Sequence, residues 1–223
     1  MTDEVKNVAV DDKSDVKSNE PKKQKRKLSE VAKCTIALTV IALVAGLLLG
    51  IVNWATYVDP DSVIMDNVKS YYSVDNVQKD EQIASYDYDK NNYVEACFVA
   101  KDADGTNVGW CYYTVGGGAK DGSLELLVYI DKDNKIADIQ CYEQGETAGY
   151  FNKVEKANKS KYVGLNVAEL SKLELVKNKS ELLDGEVSSV SSATYTSTGY
   201  HNAIAAAVYA HRTALDSGIG GEA

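Results

Sequence analysis

The sequence predicts an α+β domain, one antiparallel sheet with packed helices, preceded by one N-terminal transmembrane helix. Three observations carry this reading. From Cys34 to Val58 no residue is charged, in a chain where Lys, Arg, Asp and Glu make up 26%. Further on, four stretches rich in Val, Ile, Tyr and Cys follow one another across short turn signals. Segments with helical spacing of apolar residues lie before and after those stretches.

The uncharged run is mostly Ile, Leu, Val and Ala over Cys34–Trp54. About 20 such residues cross a hydrocarbon core as a helix. A cleaved leader would have a shorter apolar core, a short basic start and a small-x-small exit. Here a 33-residue arm precedes the run, and Asn53-Trp54-Ala55-Thr56 is a poor exit. The run is therefore an uncleaved anchor. Lys22-Lys23-Gln24-Lys25-Arg26-Lys27 places the arm on the cytoplasmic side of a bacterial cell membrane. The expected organisation is a disordered cytoplasmic arm at 1–33, a single-pass membrane helix at 34–58, and an extracytoplasmic domain at 59–223. Trp54 and Tyr57 occupy the interfacial belt, and Gly46 and Gly50 form a small-xxx-small pair that lets another helix approach.

In the outer segment, Asp61–Ser73 has helical spacing with Asp61 as its N-cap. Strands are expected at Tyr93–Ala100, Val108–Val115, Ser123–Ile130 and Ile136–Tyr142, separated by turns such as Asp104-Gly105 and Asp131–Asn134. Short connections make them antiparallel neighbours. Gly149–Ala157, Val167–Lys172 and His201–Ser217 read as helices. Cys97, Cys111 and Cys141 all fall inside strands, where they read as small buried hydrophobes.

The charge balance excludes some functions. The net charge is −9 overall and −11 from Asp59 onward, so the domain lacks the basic face of a nucleic-acid binder. Two His and scattered Cys do not make a zinc site of closely spaced ligand pairs. Gly116-Gly117-Gly118-Ala119-Lys120-Asp121-Gly122 lacks the Gly-Lys-Ser/Thr ending of a phosphate loop and precedes a strand, so it reads as a flexible hairpin loop. His201 and His211 are ten apart and cannot share a helix face as a ligand pair.

Val187–Tyr200 is dominated by Ser and Thr and leads into an Ala-rich helix. Two readings are open on these residues alone. Hydroxyls and free N–H groups at a helix start favour an anion such as phosphate. Equally, a Ser/Thr-rich loop is an ordinary helix cap.

Ser191-Ser192-Ala193-Thr194-Tyr195-Thr196-Ser197 resembles the flavinylation signature of FMN-binding domains, Asp-x-x-Ser/Thr-Gly-Ala-Thr/Ser. Glu146-Thr147-Ala148-Gly149 is similar to the Glu-Thr-Pro-Gly loop of that family. The family includes the G subunit of Rnf electron-transport complexes and the C subunit of the sodium-pumping NADH:quinone oxidoreductase. Gly-rich turn, strand, Asp-rich turn and strand come before the loop in the family's order, and the resemblance spans roughly residues 35–215. In three places the chain departs: Ser188 stands where the family has Asp, Ser192 where it has Gly, and Ala148 where it has Pro.

The resemblance implies FMN as cofactor, joined through its phosphate to Thr194 by a dedicated flavin transferase. Ser191, Ser192, Ala193, Tyr195 and Thr196 would surround the attachment point, and Glu146, Thr147 and Gly149 would line the ring. No catalytic acid–base residue and no metal ligand is implied, because the flavin carries the redox chemistry. The implied role is an electron-transfer subunit of a membrane oxidoreductase, a G-type member of an ion-translocating Rnf-like complex with other membrane subunits as partners. Two alternatives accompany it: a free-standing extracellular electron-transfer flavoprotein, and, on the strength of Ser188 and Ser192, an anchored binding or sensor domain without flavin. Tyr150, Tyr195 and Tyr200 flank the two motifs, and at least one of them is expected against the ring.

Overall fold

A computed structural model describes residues 29–83, 87–120, 122–177, 179 and 181–218. The expected cytoplasmic arm lies outside these residues up to position 28. The chain divides into two units, Met1–Tyr57 and Val58–Ala223.

The first unit holds helix α1, Glu30–Thr56. Ser29 caps it, its Oγ accepting from the Ala32 N–H. Its 27 residues span about 40 Å at 1.5 Å per residue. Apolar side chains cover it all round and none is buried, so it is long and apolar enough to cross a membrane. Its hydroxyls are spent internally: Thr35 donates to the Val31 carbonyl, Thr39 to Thr35 and Thr56 to Val52. That leaves no threonine hydroxyl to be stranded in an apolar medium.

The second unit opens with α2, Pro60–Tyr72. It starts one residue before the predicted position because Pro60 presets φ for the first turn and Asp59, not Asp61, supplies the cap. Six strands follow: β1 Asn76–Lys79, β2 Asp87–Asp89, β3 Asn92–Lys101, β4 Asn107–Ala119, β5 Gly122–Asp131 and β6 Ile136–Gln144. They form an antiparallel sheet in the order β1-β3-β4-β5-β6, with β2 also on β3. The fold is thus α+β, as the sequence predicts. Asp102 and Asp131 build the β3–β4 and β5–β6 turns alike, each Oδ1 accepting two backbone N–H groups.

Helix α3 (Ala148–Tyr162) and helix α4 (Thr194–Asp216) come next, with a small parallel pair between them, β7 (Glu174–Val176) and β8 (Glu186–Ser188). Val167–Lys172 is not a helix. The Val167 N–H bonds to the Asn134 carbonyl, and Asn166 bridges to Lys135 at the edge of β6, so the segment is held as turns. Helix α4 begins seven residues before the predicted His201.

Alternation along the central strand β5 gives the sheet two cores. Leu124, Leu126, Val128 and Ile130 belong to a cluster that includes Phe151 and Val154 of α3 and the Ala-rich face of α4. Leu127 and Tyr129 belong to the other, with Ile64 and Val68 of α2. Much of the tyrosine excess is explained on that second face, where Tyr71, Tyr72 and Tyr129 pack ring on ring. The Tyr72 hydroxyl reaches the Trp110 and Ile130 carbonyls at 3.1 and 2.8 Å. Cys97 and Cys111 are buried and free, and Cys141 is free and half-buried.

Both histidines of α4 are structural. The His201 Nδ1 meets the Tyr162 hydroxyl at 2.9 Å. The His211 Nδ1 meets the Tyr112 hydroxyl at 2.8 Å, and its Nε2 meets the Asn134 Oδ1 at 2.9 Å. Burial lowers both pKa values from 6.5 to about 4. Above pH 6.5 the rings are neutral in the folded and unfolded chain alike, and the full stability is present. As pH falls from 6.5 towards 4 the unfolded chain takes up protons that the fold refuses, so stability is lost. Denaturant titrations from pH 7.5 to 4.5 are expected to show this decline. His211→Gln is expected to flatten it.

Candidate functional site

The site is set by where α4 starts, and that depends on the glycines of β4. A Cβ on Gly116 would lie 2.1 Å from the Gly199 carbonyl oxygen and 2.5 Å from the Ala203 nitrogen. The helix backbone therefore rests directly on the strand backbone. Gly116–Gly118 is not the flexible hairpin loop expected from composition: it is the last part of β4, and Gly116 pairs with Leu124. Asn202 Nδ2 donates to the Gly117 carbonyl (2.8 Å), and the Gly117 N–H donates to Asn92 Oδ1 (2.7 Å).

So seated, α4 has its first residue at Thr194. Ala193 occupies the N-cap position and supplies no side-chain cap. The first helical bond runs from the Ser197 N–H to the Ala193 carbonyl (2.9 Å). The N–H groups of Thr194, Tyr195 and Thr196 come before it and have no partner within the helix. An uncapped first turn with the helix dipole behind it is suited to an anion.

The hydroxyls of this segment divide by role. Thr196 is buried and its Oγ1 donates to Glu146 Oε2 at 2.5 Å. Ser197 Oγ accepts from the Val190 N–H (3.0 Å). Thr198 Oγ1 donates back to the Thr194 carbonyl (2.9 Å). Thr194 is half-buried and its hydroxyl makes no such bond among the described residues. Ser191 and Ser192 are exposed.

Two recesses meet at this helix start. One, a cavity of about 250 Å³, is lined by Lys120, Glu146, Tyr150 and Ser192 through Thr196. The other, of about 460 Å³, is lined by Gly118, Lys177, Thr194, Tyr195 and Thr198. Thr194 and Tyr195 belong to both. The Thr196–Glu146 bond joins the two sequence motifs across fifty residues.

Of the residues singled out in the sequence, the first cavity brings together Glu146, Ser192, Ala193, Thr194, Tyr195 and Thr196. Ser191, Thr147 and Gly149 do not line it; Thr147 is the N-cap residue of α3, and Gly149 lies in its first turn. Among the three tyrosines, Tyr150 and Tyr195 line the cavity with 44% and 68% of their surface exposed. Tyr200 is in the core instead, against Phe151 and Tyr162. Sequence reading missed Lys120, Lys177 and Thr198 because nothing in spacing shows which strand end meets the helix start.

Ser192 has φ 66°, in the left-handed region that favours glycine. The position where the flavinylation signature carries Gly keeps a glycine-like backbone although Ser occupies it. The arrangement fits a phosphate at the helix start and a planar ring beside it. Among the described residues it offers N–H donors without a helical partner, an unengaged hydroxyl and the rings of Tyr150 and Tyr195. Among the described residues no group of three or more His, Cys, Asp or Glu could hold a metal ion.

Ser192→Gly is expected to relieve the left-handed strain and raise stability by about 0.5–1 kcal/mol. Thr196→Val is expected to lower it by about 1–3 kcal/mol by removing the donor that meets the buried Glu146 carboxylate. Denaturant midpoints at neutral pH measure both.

Comparison with known proteins agrees with the geometry. Residues 120–209 match the FMN-binding domain family, a span that includes both motifs and most of α4 and begins just past the glycine end of β4. That match makes FMN the cofactor of this domain. No curated protein matches the chain. Among solved structures, the crystal structure of NqrC from Shewanella oneidensis is similar at 18% identity and a TM-score of 0.46, covering 67% of this chain and 88% of that one.

Proposed function

We propose, from the FMN-binding domain matched by residues 120–209, that this chain is a membrane-anchored electron carrier whose FMN is joined by a phosphoester bond to Thr194. The observation that carries the attachment is the division of hydroxyls at the start of α4. Thr196, Ser197 and Thr198 are committed to hydrogen bonds, while Thr194 is unengaged and faces both recesses.

FMN, when bound, supplies the electron-accepting and electron-donating chemistry. The chain's own residues hold and shape it. Thr194 would supply the ester oxygen: its proton would pass to a base of a dedicated flavin transferase, the Oγ–phosphorus bond would form, and the bond from that phosphorus to the leaving group of an activated flavin phosphate would break. The diester keeps one negative charge, which the free N–H groups and the dipole of α4 stabilise. Glu146 holds Thr196, the second residue after Thr194, and so fixes the orientation of the first turn. Tyr150 and Tyr195 offer flat apolar surface for the ring.

A covalent link has a physical purpose on the outer side of a membrane. A dissociable cofactor is lost there by dilution, whereas attachment removes the concentration dependence of occupancy. The basic run Lys22–Lys27 supports an orientation with the N-terminus in the cytoplasm and the FMN domain outside. The fuller reading is a G-type subunit of an ion-translocating Rnf-like complex, with α1 among the membrane subunits of its partners. The left-handed backbone of Ser192 favours this flavin-bearing reading over a domain that has lost its cofactor, because the phosphate-side loop keeps its shape.

Expressed in its native host, the denatured protein is expected to fluoresce under ultraviolet light in a gel and to show an FMN-sized mass increment on the peptide containing Thr194. Thr194→Ala is expected to lose both completely while keeping its thermal unfolding midpoint. A Thr194→Ala variant that keeps its covalent chromophore refutes the attachment. Recovery of the protein alone after mild detergent extraction refutes the complex.

A further inference from the structure

The domain from Val58 onward carries a net charge of −11, yet the mouth of its site is lined by cations. Lys120 lines the first recess and Lys177 the second. Lys153 lies with its Nζ 5.9 Å from the ring centroid of Tyr150, which lines the first recess. All three lysines are exposed. Elsewhere on the domain, Lys69, Lys79, Lys132, Lys159, Lys172 and Lys179 are each paired with a carboxylate, while Lys90, Lys101, Lys135, Lys156, Lys161 and Arg212 have no carboxylate partner among the described residues. Lys120, Lys153 and Lys177 have no such partner among the described residues. The carboxylate lining the recesses, Glu146, is buried and accepts the Thr196 hydroxyl. Asp121, beside Lys120 in sequence, lies outside the described residues.

We infer that this mouth is a docking surface for a negatively charged redox protein, one that presents carboxylates to Lys120, Lys153 and Lys177 and exchanges electrons with the flavin between them. Exposed Tyr150 and Tyr195 supply the aromatic contact area that protein interfaces favour. The domain as a whole repels an acidic partner, so the cations that stand at these two adjoining recesses orient the encounter towards the flavin. Local charge at a cleft governs association more than net charge does, and added salt screens it over about 10 Å at 0.1 M. The inference rests on the flavin reading above.

Two one-electron oxidants of opposite charge test it on the full-length, FMN-bearing chain in neutral detergent. After reduction with dithionite, two ferricyanide ions reoxidise each flavin, every ion gaining one electron while protons leave to water. Hexaammineruthenium(III) does the same as a cation. The ferricyanide rate constant is expected to fall as salt is added, despite the acidic domain, and the ruthenium rate constant to rise. In a Lys120→Gln, Lys153→Gln, Lys177→Gln variant the low-salt ferricyanide rate is expected to drop about fivefold, with wild type and variant converging at high salt. Poly-L-glutamate is expected to slow ferricyanide in the wild type and not in the variant.

A ferricyanide rate that rises with salt in the wild type overturns the inference without any substitution. A variant of normal flavin content and normal rate overturns the assignment to these lysines, and indifference to poly-L-glutamate overturns the carboxylate partner. A preparation with no flavin absorbance fails earlier and refutes the flavin reading itself.

Discussion

The contact between the backbone of α4 and the glycine end of β4 governs the rest of the site. With Gly116 under Gly199 and Ala203, nothing but backbone separates strand from helix. Side chains of ordinary size at that place would lift the N-terminal turns of α4 off the sheet. Thr194 would then leave the junction of the two recesses, and Thr196 would lose its reach to Glu146. The small residues along α4 serve the same end, since Ala203, Ala206, Ala207 and Ala210 are all buried and let the helix lie close to the sheet. Close packing of this kind admits no intermediate position.

Around that seat, the polar groups are sorted by what they hold. Glu146 and Thr196 tie the start of α3 to the first turn of α4. Asn202 and Asn92 tie the helix and β3 to Gly117. At its far end, α4 is held through His211, which bridges Tyr112 of β4 and Asn134 of the β5–β6 turn. Hydroxyls, amides and imidazoles are thereby consumed in fixing the helix, and Thr194 is left over. That absence of a structural duty is what supports the proposal of Thr194 as the attachment residue.

The two units place different demands on their side chains. In α1 the exposed side chains of the uncharged run are mostly apolar, and each threonine turns its hydroxyl back on the helix. On the second unit the net charge is acidic and the buried tyrosines are shared between the two faces of the sheet. Those rings have a different origin from the rings at the site. Tyr71, Tyr72 and Tyr129 build the core under α2, whereas Tyr150 and Tyr195 remain exposed at the cavity.

How much was legible depended on whether a signal is local. The membrane-length helix, the strands β3 to β6 and the α+β class follow from the spacing and chemistry of neighbouring residues. So do the Asp-headed turns, which each close within five positions. The two motifs were also legible as strings. What the sequence misplaced were features decided across long separations. Gly116–Gly118 read as a loop because glycine is a poor strand former, but its lack of a side chain is what lets α4 lie on it. Val167–Lys172 read as a helix, but the bond of Val167 to Asn134, beside those of Gly164 and Leu165 to Ile136, draws it to the sheet edge. Thr194 stood in a loop by composition, yet it opens the helix, because a Ser/Thr-rich stretch has weak local preference and yields to packing. Sequence alone determined which residues had the right chemistry and where the chain crosses from apolar to polar. Only tertiary structure decided that Thr196 is committed while Thr194 stays free, and which lysines stand beside it, since the Thr196–Glu146 bond spans fifty positions and Lys120 and Lys177 come from other segments of the chain.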